Sequence, residues 1–481
     1  EPAALAAVPR ELALRVNVLP LTVRGAVLRV AVSDPLSHDL DTLAQAAQLT
    51  LAPVLAPAET IRTELRRCYP PVAAPASAPA PAIESAADAE GGEAPVARLV
   101  QHIVEEALRR RASDIHLEPQ EQRLRLRLRI DGVLQEVDGP PKRMQAALVS
   151  RLKLMARMAL DEKRVPQDGR IQITVAGKAL DLRASCLPTV HGESLVLRVL
   201  EAERLALDWA TLGLWPDDEQ RFARAVDAPD GLVLVTGPTG SGKTTTLYTC
   251  LHRLNHPDRK IVTVEDPIEY RLAGINQVPV RPETGLTFAA ALRAILRQAP
   301  NVVMIGEIRD RETAEIAVNA AQTGHLVFST LHTNDAAGAV ARLIDLGVKP
   351  FLLAATLRAV VAQRLVRRIC PKCQQPHEPT PAELRGFVLP PEARREADWR
   401  RGAGCPECHG TGYRGRMGVY ELLVADEELR RRIYDNVTAA QLRAAARRSG
   451  MRTMREDGLR KTLAGLTTID EIAAHTVGDS D

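Results

Sequence analysis

The run Gly237-Pro238-Thr239-Gly240-Ser241-Gly242-Lys243-Thr244, followed by Thr245, fits G-x-x-x-x-G-K-[ST]. Glycines let successive backbone N–H groups converge on phosphate oxygens, and a helix N-terminus behind them adds partial positive charge. Lys243 supplies a cation for the β and γ phosphates, and the Thr244 hydroxyl supplies a ligand for Mg2+. A nucleoside triphosphate site follows. Hydrolysis needs further groups on neighbouring strand ends, and two acidic clusters qualify: Glu265-Asp266-Pro267-Ile268-Glu269, and Gly306-Glu307-Ile308-Arg309-Asp310 after four apolar residues. The segment 323–335 adds His325 and His332 at the two ends of an apolar, Ser/Thr-bearing strand, within reach of a γ-phosphate. Finally, Cys370-Pro371-Lys372-Cys373 and Cys405-Pro406-Glu407-Cys408 are two C-x-x-C pairs. Four thiolates close a tetrahedral zinc site with no position left for a substrate, so such a zinc is structural.

These groups need elements to hold them. From residue 231 short apolar strands at 232–236, 260–264, 301–305 and 326–329 alternate with amphipathic stretches at 245–254, 288–297 and 312–322. That alternation predicts a largely parallel α/β sheet with helices on both faces. Upstream, 96–108 has an apolar helical stripe, and 123–130 alternates four arginines with four aliphatics. Those arginines read as a solvated sheet face, with contact to an acidic surface or a neighbouring subunit's nucleotide as the alternative. Residues 1–69 read as a small α/β domain with strands at 16–21 and 26–32 and helices at 39–49 and 58–68. Residues 70–95 are dominated by Pro and Ala, the composition of an extended linker. Residues 426–475 are helical in pattern and highly charged.

Composition narrows the function. The 481 residues carry Lys+Arg 63 against Asp+Glu 60, a formal net charge of +3, and only 3% aromatics. No global basic field or set of stacking rings points to nucleic acid. No apolar run is long enough to span a bilayer, and no signal segment opens the chain. Seven cysteines, four of them in tight pairs, suggest a metal in a reducing compartment and a cytoplasmic location. Cys68, Cys186 and Cys250 read as plain core residues.

The phosphate loop GPTGSGKTTT, then VEDPIEY, MIGEIRD and TGHLVFSTLHTND, in that order and spacing, resemble the secretion ATPases of type II secretion and type IV pilus assembly. The resemblance extends to ASDIHLEP and VPQDGR upstream and to AQRLVRR and GTGYRGR downstream, covering roughly 96–475. It implies a RecA-like P-loop ATPase core at 206–481, with a zinc element at 370–412, preceded by an α+β domain at 96–205. It also implies a homo-hexamer that couples ATP hydrolysis to (pseudo)pilus assembly. Such a motor sits in the cytoplasm, peripherally on the inner membrane, with platform and cytoplasmic-anchor proteins as partners, acidic phospholipid as a further candidate, and no nucleic acid. Carried over by position, Lys243 and Thr244 hold phosphate and Mg2+, and Glu307 belongs to the Mg2+ site. Glu265 is then the general base and His325 the γ-phosphate sensor, while Arg170 and Arg183 are arginine fingers toward a neighbouring protomer's nucleotide. The zinc element, with Zn2+ on Cys370, Cys373, Cys405 and Cys408, sets extension motors apart from retraction motors. Segments 134–141 and 148–157 lean toward the type II branch, with pilus assembly as the alternative and a nucleic-acid translocase behind both. N-terminal domains of this family either dock on an inner-membrane partner or bind cyclic di-GMP.

Overall fold

The computed structural model describes residues 18–33, 49–57, 93–175, 177–200 and 207–476 except 382, 388 and 390, with isolated positions before 18 and between 60 and 68. The chain divides into two units, Glu1–Glu90 and Gly91–Asp481. In the first, β1 (Leu19–Arg24) and β2 (Val27–Val32) form an antiparallel hairpin, and β3 (Thr50–Leu55) joins parallel to β2. The third strand carries Pro53, a residue that argues against a strand except at a sheet edge, which is where β3 lies. Leu28, Val30 and Val32 pack with Ile61 and Leu65. The helix expected at 39–49 lies outside the described residues, as does the expected linker as far as residue 92.

The second unit opens with helix α1 (Glu93–Arg109) and strands β4 (Ala112–Pro119), β5 (Leu124–Ile130) and β6 (Val133–Val137). Helix α2 (Gln145–Met155) and strands β7 (Gln167–Val175), β8 (Lys178–Thr189) and β9 (Gly192–Leu200) follow. The six strands form an antiparallel sheet in the order β6-β5-β4-β9-β8-β7. In β5 the aliphatics Leu124, Leu126, Leu128 and Ile130 are all buried, packed with apolar residues of both helices. At roughly 1.5–3 kcal/mol per side chain, that burial fixes the register, because a one-residue slip would turn the arginines inward. The arginines pair with acids of their own sheet: Arg125 and Arg127 with Glu118, Arg123 with Glu136, and Arg129 with Asp114.

The larger layer begins at α3 (Pro216–Val226), β10 (Gly231–Thr236), α4 (Lys243–Leu254), β11 (Ile261–Glu265) and β12 (Asn276–Pro279). It continues through α5 (Phe288–Leu296), β13 (Val302–Ile305), α6 (Arg311–Gln322), β14 (Leu326–Leu331), α7 (Ala336–Asp345) and α8 (Pro350–Thr356). Next come β15 (Leu357–Ile369), β16 (Gln374–Pro376), α9 (Pro391–Arg395), β17 (Arg400–Gly402) and β18 (Tyr413–Val424). Helices α10 (Glu427–Tyr434), α11 (Ala439–Arg448), α12 (Met454–Leu463) and α13 (Ile469–His475) close the chain.

Seven strands pair in the order β12-β11-β13-β14-β10-β15-β18, parallel throughout except for β18. Alternate residues of β10 feed two cores: Leu232 and Leu234 face α5, α6, α7 and α8, while Val233 and Val235 face α3 and α4. The expected parallel α/β sheet is present, and every residue of β10 is buried, as a strand covered on both faces requires. No helix among the described residues is long and apolar enough to cross a membrane.

Candidate active site

Residues 237–242 bridge the C-terminal end of β10 to the first turn of α4, so the loop's N–H groups stand at a helix N-terminus. Gly242 takes φ 90° at the helix N-cap, a left-handed conformation that disfavours side chains. The Lys243 ammonium donates to the carbonyls of Gly237 at 2.7 Å and Pro238 at 3.1 Å, which arches it over the loop. Burial lowers the pKa of this lysine, and the nearby Glu307 carboxylate opposes that shift and favours the cation. Thr244 and Thr245 complete the first turn of α4, and Thr244 opens onto the adjoining cleft.

In a parallel sheet the C-terminal strand ends lie together, and here they supply that cleft, a cavity of about 160 Å³. Glu265 ends β11, Glu307 follows β13, and His332 follows β14. Asp266 and Glu269 line the same cavity. Glu265 is 4% exposed and its two oxygens are held by three donors. Thr263 Oγ1 donates to Oε1 from 2.5 Å and Gln277 Nε2 from 3.0 Å, while the Tyr248 hydroxyl donates to Oε2. Burial, reinforced by that carboxylate, raises the Tyr248 pKa, so the phenol stays a donor. A carboxylate offers about four lone-pair sites, so Glu265 is oriented firmly and keeps one acceptor position. Glu307 pairs with Arg309 and lies 3.4 Å from His332 Nε2.

The two histidines separate. His325 precedes β14, and its backbone carbonyl accepts from the N–H of Gly231, the first residue of β10. Its ring sits 3.0 Å from the Ala320 carbonyl and 3.2 Å from Thr323 Oγ1. That is the N-terminal end of the strands, opposite the phosphate loop, so the expectation that His325 senses the γ-phosphate is corrected: the cleft histidine is His332. The strand direction carried the signal, because only residues that follow a parallel strand reach the ligand side.

The four cysteines come together. Sγ separations are 3.8 Å for Cys370–Cys405, 3.8 Å for Cys373–Cys408 and 3.7 Å for Cys405–Cys408. All four sulfurs lie within 4.8 Å of one another. A tetrahedral ion with Zn–S bonds near 2.3 Å requires S···S distances of about 3.8 Å, so the donor set fits Zn2+. Backbone N–H groups of Cys405 (3.1 Å) and Gly412 (3.3 Å) point at the Cys408 sulfur. Burial alone would raise that thiol, and these donors overcome it, bringing the pKa down to about 6.

The family profile described as Type II/IV secretion system protein matches residues 89–474. This chain belongs to that family of secretion ATPases. The MshEN domain profile matches residues 1–75. The type II secretion system protein E of Pseudomonas aeruginosa is 52% identical over 380 residues, 79% of this chain and 75% of that protein. The type IV pilus assembly ATPase PilB of Myxococcus xanthus is 43% identical over 502 aligned residues, covering 100% of this chain and 88% of that one. Among solved structures, the pilus retraction motor PilT with bound ADP superposes with a TM-score of 0.53 at 29% identity, over 78% of this chain and 96% of that one. The protein is therefore an ATP-hydrolysing secretion ATPase of the P-loop class.

In this secretion ATPase the two arginines singled out in the sequence stand abreast, Arg170 on β7 in register with Arg183 on β8. Both line a groove on the six-stranded sheet together with Asp168 and Arg198. Arg183 also reaches Glu269 in the cleft beside Lys243 of its own chain, 2.9 Å away. Sequence reasoning named both histidines but gave the sensing role to His325, and it passed over the buried set Tyr248, Thr263 and Gln277 around Glu265. The last three are ordinary residues of a helix and two strands, and nothing in their spacing marks them.

Proposed function

We propose that this secretion ATPase works as a cytoplasmic homo-hexamer at the inner membrane, converting ATP hydrolysis into (pseudo)pilus assembly for type II secretion. The observation that carries the type II reading is the 52% identity over the ATPase-bearing region to a type II secretion protein E. Platform and cytoplasmic-anchor proteins are its partners in this reading, with acidic phospholipid as a further surface and no nucleic acid. Retrieval of the platform protein from the native host tests it; co-purification of a pilus platform alone would move the assignment to the pilus. That second reading has its own support, because the pilus ATPase aligns with the whole chain, including the N-terminal unit, whereas the type II relative covers 79% of it.

Within the cleft, Lys243 and the loop N–H groups would hold the phosphates, and the Thr244 hydroxyl with Glu307 would hold Mg2+. A bound Mg2+ supplies charge neutralisation on the β and γ oxygens. Glu265, locked by its three donors, presents its remaining lone pair to the attacking water as general base. His332 donates toward the γ-phosphate while Glu307 orients its ring. Arg183 and Arg170 offset charge that develops during phosphoryl transfer, an effect worth about 10³–10⁵ in rate where a finger is complete. The cysteine cluster holds a structural Zn2+. Residues 1–69 form the docking or regulatory unit, and 96–205 the arginine-bearing domain ahead of the core at 206–481.

A further inference from the structure

Gln363 lies on β15, one residue past Ala362, the register partner of Thr236 at the end of β10. It therefore sits directly beneath the phosphate loop. Its side chain is 1% exposed and both ends of the amide are used. Nε2 donates to the Ser241 carbonyl at 2.7 Å, and Oε1 accepts from the Thr246 hydroxyl at 2.8 Å. Reversing the amide would set oxygen against oxygen at Ser241, so its orientation is determined.

We propose that Gln363 is a positioning residue that aims the phosphate-binding N–H groups of the loop, deepening the nucleotide reading of this site. A trans peptide is planar, so its C=O and the following N–H point in opposite directions. Drawing the Ser241 carbonyl down onto Gln363 turns the Gly242 N–H upward, into the concave side where phosphate oxygens bind. The Thr246 hydroxyl fixes the other side of the same amide to the first turns of α4, so loop and helix share one anchor. The loop rests closely on this residue: a Cβ at Gly237 would come within 2.4 Å of the Gln363 carbonyl oxygen, and one at Gly242 within 3.1 Å of Nε2.

Gln363→Glu keeps the shape, removes the donor and sets a carboxylate against the Ser241 carbonyl. In the full chain, titration with a fluorescent ATP analogue plus Mg2+ should show affinity falling about tenfold, the effect of one preorganised hydrogen bond. KM for ATP should rise in parallel while kcat changes less than threefold, and the melting temperature should fall, because the new carboxylate is buried against an acceptor. Affinity within twofold of the parent in a folded Gln363→Glu protein overturns the proposal. Where that variant does not fold, Thr246→Val decides: loosening of threefold or more supports the anchor, and parent affinity overturns it. Lys243→Ala reports on the nucleotide reading separately, since parent-like ATP binding there would remove the site itself and not only the role of Gln363.

Discussion

Replacing His332 and His325 by alanine, one at a time, tests the placement of the phosphate-sensing group. The two residues bracket β14, and seven residues of strand at about 3.3 Å each put on the order of 20 Å between them. No imidazole bridges that span. His332 lies 3.4 Å from Glu307 at the cleft, whereas His325 binds the carbonyl that closes the turn after α6. Loss of one donor at developing negative charge slows catalysis by 10²–10³ in the strongest cases. The solvent-accessible position of His332, whose side chain is 52% exposed, argues for less. His332→Ala should therefore reduce kcat about 10- to 100-fold, equivalent to about 1.4–2.7 kcal/mol in the barrier, with a smaller change in KM. His325→Ala should keep kcat within twofold and lower only the folding stability, by the net worth of a hydrogen bond, about 0.5–1.5 kcal/mol, read as a drop in melting temperature. Phosphate release at saturating ATP and thermal unfolding, measured on the same preparations, give both numbers. A tenfold loss of turnover in His325→Ala at unchanged melting temperature, with His332→Ala near normal, would refute the strand-direction reasoning.

Cys405→Ser should lower the bound zinc from one equivalent per chain and reduce the melting temperature, while ATP binding by folded protein persists; unchanged metal content would reject the shared site. Glu471 accepts from the Arg367 N–H at 2.9 Å and pairs with its guanidinium, which outweighs burial and depresses the carboxyl pKa below 4.5. A depressed pKa stabilises the fold above about pH 4.5 and that contribution fades as pH falls through the folded value. Glu471→Gln should thus cost about 1–3 kcal/mol at pH 7 and lose less on acidification than the parent, and parallel pH–stability curves would contradict this. Mixing Arg183→Ala with Lys243→Ala chains tests which site the arginine serves: its contact with Glu269 of its own chain predicts no recovery of turnover on mixing, and restored activity would assign it to the neighbour.

The strand–loop–helix unit that carries the glycine-rich motif was legible because it is local: a strand, six loop residues, a lysine and a helix are contiguous from 231 to 254. The acids were legible for the same reason, each following its own apolar strand. Long-range pairing was not. β15 and β18 form the longest ladder of the sheet, from Ala359 opposite Val424 to Ile369 opposite Tyr413, yet 43 residues separate the ladder's ends in sequence. Pro53 masked β3, and the Leu357–Ile369 strand is too basic to look like a buried one, although Gln363 is almost wholly enclosed. The partners of Glu265 come from α4, β11 and β12, a convergence that only the fold creates.

That ladder also explains why four cysteines stand so far from the chemistry. Joining β15 to β18 closes an excursion of more than 40 residues, and loop closure of that length costs about 3 kcal/mol in chain entropy. Cys370 sits one residue beyond β15 and its N–H donates to the Gly412 carbonyl at 2.9 Å, immediately before β18 begins. Cys405 and Cys408 lie just inside the same closure. Clamping the four sulfurs therefore gathers the excursion at its base, where the strands meet, and the long loop ceases to oppose the pairing. β15 is the strand that passes under the phosphate loop, with Gln363 bonded to Ser241 and Arg364 reaching Asn334 after β14. Zn2+ on those four sulfurs would hold the register of that strand at its far end, and a one-residue slip would carry Gln363 to the opposite face and withdraw its amide from the Ser241 carbonyl.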